Sequence, residues 1–404
     1  MISPVTKWVA EKTGLFENLN PATLKEWQQN KLNGVVEYCR MKTRFYKNKL
    51  NASTELTNLP FTYPSDLAND PQAFLAIPQN KIARVSTHAN SGTTNRKKRV
   101  FYSDADLERT KIFFAVGMSG IVYENENAGI LISSETENSL GRLLKESLER
   151  IGVKSKIAGN IKSVHDVFEI SRAAECLVGM PSELFYLCKT APNLKPKSVL
   201  LAGDIASQAI IKSIQEIWGC HVFTHYGHSE FGYGCAVDCK CHNGLHLRDA
   251  DNIFEIINPA TDEPADLGKI GEITITTLSN EAMPLIRYRT GNLARMLSAP
   301  CMCGSPLQRL GNIEGRISDN IPAPGGEKIN IPELEELLFS ANEIRGFNAV
   351  FSKNENMLKL TVDAENKINF GPILKKLPEE LKIDVNYGNA DPFMNHQKRR
   401  IQII

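Results

Sequence analysis

The chain has 404 residues, 42% hydrophobic and 23% charged, the balance of a globular protein long enough for two domains. Its formal net charge of +1 leaves no basic excess to neutralise phosphates, which argues against a nucleic-acid or anionic-membrane binder. No apolar run reaches the length of a membrane span, and Met1 to Ala10 lack the apolar core of a signal peptide, so a cytoplasmic location is expected.

Asn20-Pro21 supplies a cap and a first-position proline for a helix to about Lys31, and a second helix is expected from Leu32 to Lys49. Ile82 to Thr87 reads as a strand, the polar loop His88 to Arg99 follows, and Val100-Phe101-Tyr102 resumes a strand. Ser103 or Asp104 can then cap a helix over Leu107 to Met118. In the loop, Ser91-Gly92-Thr93-Thr94 offers backbone N–H groups and hydroxyls that can wrap phosphates, with Lys98 downstream. A solvated surface turn is the alternative there.

From Gly129 to Val199 short apolar runs alternate with helical stretches, which predicts βαβ units and a mainly parallel sheet. Val199 to Asp204 is a buried strand ending in a glycine turn, the kind of strand end where open α/β sheets bind ligands. A plain helix N-cap is an equal reading of Asp204. Next comes His225-Tyr226-Gly227-His228-Ser229-Glu230, a turn that presents an aromatic ring, a hydroxyl and a carboxylate together. A flat ring can cover a base, and a carboxylate can hold a hard cation such as Mg²⁺.

Nine cysteines are present. Cys39, Cys176, Cys188 and Cys220 sit in apolar surroundings and read as buried thiols, and Cys235 as a buried or loop thiol. Cys239, Cys241, His242 and His246 form one Cys/His loop, and Cys301-Met302-Cys303-Gly304 forms a second. Thiolates and imidazoles from two loops fit a closed tetrahedral zinc site. Between the loops, Phe254 to Pro259 and Gly268 to Thr277 alternate at period two, as antiparallel strands do. The C-terminal part reads as a small α/β sandwich: a helix over Pro332 to Ser340, strands at Phe347 to Phe351 and Met357 to Val362, a helix around Ile373 to Leu381, and a strand at Lys382 to Val385.

Three runs, Ser91 to Thr94, Tyr226 to Glu230 and Pro284 to Asn292, stand in an order that resembles the adenylate-forming enzymes. The nearest branch is that of the phenylacetate-CoA ligases, and the likeness extends from about Leu32 to Glu335. The resemblance implies an α/β fold: a large N-terminal domain, 1–316, with mainly parallel sheets and a small β-subdomain, and a small mobile C-terminal α/β domain, 317–404. The zinc-stapled part of the β-subdomain would span about 235–310.

Roles follow residue by residue. Ser91, Gly92, Thr93, Thr94 and Lys98 would grip the ATP triphosphate, although Asn95 and Lys97 replace the family's glycine and proline. Gly203 and Asp204 match the family's Gly-Glu turn beside the adenine, with Asp204 one methylene shorter. Tyr226 would lie on the adenine after Gly227, Ser229 would contact phosphate, and Glu230 would bind Mg²⁺. Asn292 stands where an aspartate normally accepts both ribose hydroxyls, and an amide has one acceptor oxygen and no charge. Gly315 to Asp319 resembles the interdomain hinge, with Arg316 beside the nucleotide and Asp319 as the pivot. Lys398 is the nearest match to the family's C-terminal catalytic lysine. Relatives with the same two loops make Cys239, His246, Cys301 and Cys303 the zinc set, with His242 and Cys241 as alternates.

The implied activity is ATP-dependent acid–thiol ligation. The cofactors would be ATP, Mg²⁺, a structural Zn²⁺, and CoA or a carrier phosphopantetheine. The substrate would be a carboxylic acid, aromatic by analogy with the branch. An acyl-carrier protein and a homodimer are the partners left open. The alternatives are a degenerate member that binds nucleotide or acyl-adenylate without turnover, and an acyltransferase to a protein partner.

Overall fold

The computed structural model describes residues 2–50, 55–88, 98–132, 134, 136–158, 163–322, 328–394 and 399–404. The phosphate-loop residues Ser91, Gly92, Thr93 and Thr94, and the tail residue Lys398, lie outside the described residues. The chain divides into two compact units: 1–121, 146–151 and 225–314 form the first, and 122–145, 152–224 and 315–404 the second. The last passage from the first unit to the second falls at Glu314–Gly315. No described helix is long and apolar enough to cross a membrane.

In the first unit the two helices expected between Pro21 and Lys49 are one helix, Pro21–Lys42, followed by the short helix Arg44–Lys47. No proline near Lys31 stops the helix, and Gly34 faces open space. The break falls at Thr43, whose extended backbone and side-chain bond to the Tyr46 N–H start the short helix. Strands Arg84–His88 and Lys98–Tyr102 pair antiparallel, with His88 opposite Lys98, so the register fixes Lys98 at the start of its strand. The following helix is Asp104–Met118, capped by Ser103 with Asp106 closing the capping box.

The expected antiparallel strands are Asn252–Ile257 and Gly271–Thr277, joined by Tyr288–Ala294. Every residue of Gly271–Thr277 is buried, so its polar alternation does not mark a solvent face. The threonine hydroxyls are used instead: Thr276 Oγ1 accepts from the Arg287 N–H and Thr277 Oγ1 from the Leu285 N–H, each at 2.9 Å. These bonds shape the chain leading into Tyr288–Ala294.

In the second unit, strands Asn127–Ile130, Lys154–Ile157, Cys176–Gly179, Ser198–Leu201 and the first part of His221–Tyr226 form a parallel sheet. Cys176–Gly179 and Ser198–Leu201 are buried throughout, as continuous apolar runs in parallel sheets are. The edge strand Lys154–Ile157 was not legible, because an edge strand of that length alternates lysines with small residues and carries no apolar run. The same unit holds helix Ile331–Leu338 and a sheet in the order Lys382–Tyr387, Met357–Ala364, Ile344–Ser352, Ile401–Ile403. The helix expected over Ile373 to Leu381 shortens to Gly371–Leu374. Pro378 disfavours helical backbone at Leu377 and ends it.

Candidate functional site

Glu230 is the centre of the first unit's polar cluster. Strand His221–Tyr226 delivers Tyr226, and Gly227 turns the chain so tightly that a Cβ there would stand 1.8 Å from the Tyr233 carbonyl oxygen. Only glycine fits. The short helical turn Ser229–Phe231 then carries Glu230 inward, where the residue is 1% exposed.

Four side chains meet its carboxylate. Tyr288 donates to Oε1 at 2.8 Å, and Lys98 pairs with the same oxygen. Ser229 donates to Oε2 at 2.7 Å, and His228 Nδ1 donates to it as well. Burial works to raise the Glu230 pKa, but the charges and hydrogen bonds of His228 and Lys98 outweigh it and hold the carboxyl well below its usual range. A buried carboxylate kept ionised by convergent donors is pre-set for a cation.

Around this centre, the Tyr102 hydroxyl donates to the Ser229 carbonyl, and Asn280 donates to the Glu230 carbonyl at 3.3 Å. Tyr102 and Tyr233 stack with ring centroids 5.5 Å apart, and Arg84 Nε donates to the Tyr233 hydroxyl at 3.1 Å. Asn292 is buried, and its Nδ2 donates to the Tyr226 hydroxyl at 3.2 Å. The structure therefore brings Lys98, Ser229 and Glu230 into one bonded group, while Tyr226 and Asn292 form a second bonded pair at the start of the same turn. Tyr288, His228, Tyr102 and Tyr233 belong to the first and were not singled out from the sequence. Tyr288 and His228 sit inside the quoted runs, but nothing in a run tells which side chain turns toward the carboxylate.

The second unit holds a separate set of sequence-predicted residues. Arg316 pairs with Asp204 at 2.6 Å and with Asp319 at 2.9 Å, and the Arg399 N–H donates to Asp204 at 3.0 Å. Asp204 is not the cap of the following helix. Ser207 is, accepting from the Ile210 N–H. Gly203, at φ 89°, supplies the left-handed turn that the strand end needs. Nearby, fully buried Glu335 pairs with Arg399 at 2.7 Å. Burial pushes the Glu335 carboxyl up to about 7 against the pull of Arg399.

That shift has a testable sign. A carboxyl held above its unfolded value of 4.5 favours the folded state while protonated. Its contribution is full below that value and is lost as pH rises through about 7, costing up to about 3 kcal/mol at pH 8. We expect urea midpoints of the wild type to fall between pH 5 and pH 8, and Glu335→Gln to flatten that fall. An unchanged slope in the variant would remove Glu335 as its cause.

The two Cys/His loops converge. Cys239, His246, Cys301 and Cys303 are buried, and their donor atoms all lie within 4.8 Å of one another. His246 is fixed by strand Leu245–Leu247, and Cys301-Met302-Cys303-Gly304 forms a turn closed by the Gly304 N–H on the Cys301 carbonyl at 2.8 Å. Cys239 Sγ stands 3.7 Å from Cys301 Sγ, and Cys303 Sγ 3.6 Å from His246 Nε2. A tetrahedral zinc with the usual bond lengths has S···S edges of about 3.8 Å and S···N edges of about 3.6 Å. Those two edges match that ion. His246 is held neutral, its pKa lowered to about 4 by burial and by Arg309, and its Nδ1 faces Thr6 Oγ1 at 3.5 Å. Thr6 donates onward to Ser305, which leaves it to accept from Nδ1 and frees the Nε2 lone pair. His242 is turned to Asp238 at 2.7 Å and lies outside the group of four. The other thiols, Cys39, Cys176, Cys188, Cys220 and Cys235, are buried as expected.

The overall fold is that of the adenylate-forming CoA ligases. A 2-hydroxyisobutyryl-CoA ligase in the postadenylation state, in complex with R3-HIB-AMP, superposes with a TM-score of 0.78 at 17% identity, covering 97% of this chain and 91% of its own. In sequence the chain is similar to phenylacetate-coenzyme A ligases. That of Thermus thermophilus is 27% identical over 413 residues, 96% of this chain and 90% of the relative. That of Pseudomonas putida is 26% identical over 346 residues, 79% of this chain and 74% of the relative. No protein-family model matches.

Proposed function

We propose that the protein is an AMP-forming acid–thiol ligase. The carboxylate oxygen of an organic acid attacks the α-phosphorus of ATP and displaces pyrophosphate. A thiolate, that of CoA in the first instance, then attacks the acyl carbon of the acyl-adenylate and displaces AMP. The observation that carries this reading is Glu230: fully buried, ionised, and surrounded by a lysine, a histidine and two hydroxyls on the turn after Tyr226.

Glu230 is the residue we assign to Mg²⁺, which when bound neutralises charge on the phosphate oxygens. The donor set fits a hard cation, with Lys98 giving up its place on Oε1 and turning to phosphate. Ser229 and Tyr288 then keep the carboxylate oriented, and the buried setting strengthens each charge interaction at the reacting phosphate. Tyr226 provides the flat face for the adenine, and Asn292, tied to its hydroxyl, lies where the ribose is held. Ser91, Gly92, Thr93 and Thr94 are assigned to the triphosphate, Gly203, Asp204 and Arg316 to the nucleotide, and Lys398 to the acyl phosphate. The hinge is assigned to Gly315 to Asp319, with Asp319 as the pivot. We assign Cys239, His246, Cys301 and Cys303 to a structural zinc, since four protein donors leave no open position for catalysis. An enzyme acting on an aromatic acid is the form of this reading that its similarity to phenylacetate-coenzyme A ligases supports, and a cytoplasmic location is part of the same proposal.

ATP–pyrophosphate exchange with Mg²⁺ against a panel of aryl and short-chain acids tests the reading and names the acid class. Exchange that depends on one acid class supports it, while a folded, metal-loaded protein that exchanges with none would favour a nucleotide-binding protein without turnover. Asn292→Asp belongs beside the wild type. Restoring a charged, two-oxygen acceptor for the ribose should lower KM for ATP about 5–10-fold with little change in kcat. An unchanged KM would show that the ribose is not held at Asn292.

A further inference from the structure

Arg309 is buried, 1% exposed, and belongs to the short strand Arg309–Leu310. Its buried Nε and Nη1 have no hydrogen-bond partner among the described residues. A guanidinium cannot shed its proton, and a buried cation without a counter-charge costs several kcal/mol. An anion on its face of the sheet would offset that cost. Strand pairing says where: Arg309 lies directly opposite His246 in the antiparallel register, so both side chains leave the sheet on the same face.

A divalent ion held by Cys239, Cys301, Cys303 and a neutral His246 carries three negative thiolates against two positive charges. The centre is therefore a monoanion, the charge that Arg309 lacks. We propose that Arg309 is the built-in counter-ion of this metal centre, matching a site of three thiolates and one imidazole to a divalent metal. This rests on the zinc assignment above. It gives Arg309 a role in metal retention that packing alone does not: the arginine stabilises thiolates, and the monoanionic centre supplies the partner its buried guanidinium requires.

The test compares wild type with Arg309→Met, Arg309→Gln and Arg309→Lys, all purified with Zn²⁺. The readouts are zinc per chain, zinc affinity by chelator competition, and the thiolate-to-metal absorption band after replacement by Co²⁺. Removing the charge should weaken zinc binding about 10–100-fold in the Met and Gln variants, the usual range for groups beyond the ligands. Arg309→Lys should stay within a few-fold of wild type. Gln keeps polar atoms in place, so it decides the matter if Met does not fold. A second comparison reads charge directly. Cys303→His makes the centre neutral and should cost less affinity in the Arg309→Gln background than in wild type. Equal zinc affinity in wild type and Arg309→Gln, or full additivity with Cys303→His, would overturn the counter-ion role while leaving the zinc assignment intact. Wild type that holds no zinc and forms no Co²⁺ thiolate band would overturn both.

Discussion

Glu230→Gln should abolish acid-dependent ATP–pyrophosphate exchange, by about 10³-fold or more, because it removes the one buried charge that four side chains are arranged to orient. An amide of the same shape presents one acceptor and two donors where the carboxylate presents two acceptors. Tyr288 and Lys98 share Oε1, and His228 and Ser229 share Oε2, so either orientation of the amide faces hydrogen-bond donors with its own NH₂. The variant is thus expected to lose stability as well. Breaking a buried ion pair from one side costs about 3–5 kcal/mol, less here to the extent that Lys98, 13% exposed at its side chain, can turn to water. The lost rate must therefore be read in folded protein, confirmed by circular dichroism and by an unfolding midpoint above the assay temperature. Glu230→Asp separates charge from reach. It keeps the anion one methylene back and should retain part of the stability but little of the exchange. Full exchange in folded Glu230→Gln would remove Glu230 from the chemistry.

What the sequence made legible follows from how locally each feature is encoded. The turn Tyr226 to Glu230 is contiguous, and the structure shows why its spacing is fixed: Gly227 allows the close approach of the Tyr233 carbonyl. The buried parallel strands are apolar throughout and needed no partner to be read. The two Cys/His loops were marked by residue type, while the choice of Cys239, His246, Cys301 and Cys303 among their donors came from the resemblance. The partners of Glu230 were different. Tyr288 is 58 positions away in sequence and reaches Oε1 only because Tyr288–Ala294 pairs with Gly271–Thr277. Lys98 arrives through a hairpin register. Arg309 carries no local signal at all; its meaning comes from standing opposite His246. Helix limits failed where the determinant was an absence, as at Lys31, where no proline breaks the helix, or a single proline, as at Pro378. Two-residue strands such as Ala236–Val237 and Arg309–Leu310 are too short for any periodicity, yet they hold the metal loops.

Those short strands set up the second large effect. Cys303→Ser should release the metal, with zinc per chain falling from about one to near zero, and destabilise the first unit by at least about 3 kcal/mol. Cys239 and Cys301 are 62 positions apart, yet their sulfurs come within 3.7 Å. Closing a segment of that length has an entropic cost that the pairs Ala236–Val237 with Leu245–Leu247 and Arg309–Leu310 with His246 and Leu245 do little to offset. Three thiolates and an imidazole on one ion offset it, as a crosslink does. Serine is close in size to cysteine, so packing alone predicts a loss of only about 1 kcal/mol, and the two accounts differ measurably. Chelator sharpens the difference: it should lower the wild-type midpoint to that of Cys303→Ser and leave the variant where it was. Catalysis by zinc-free protein that remains folded should persist when Mg²⁺ is supplied, because the four donors form a closed set and Glu230 draws its partners from other segments. A variant that keeps both its zinc and its midpoint would show that Cys303 is a packed thiol and not a ligand.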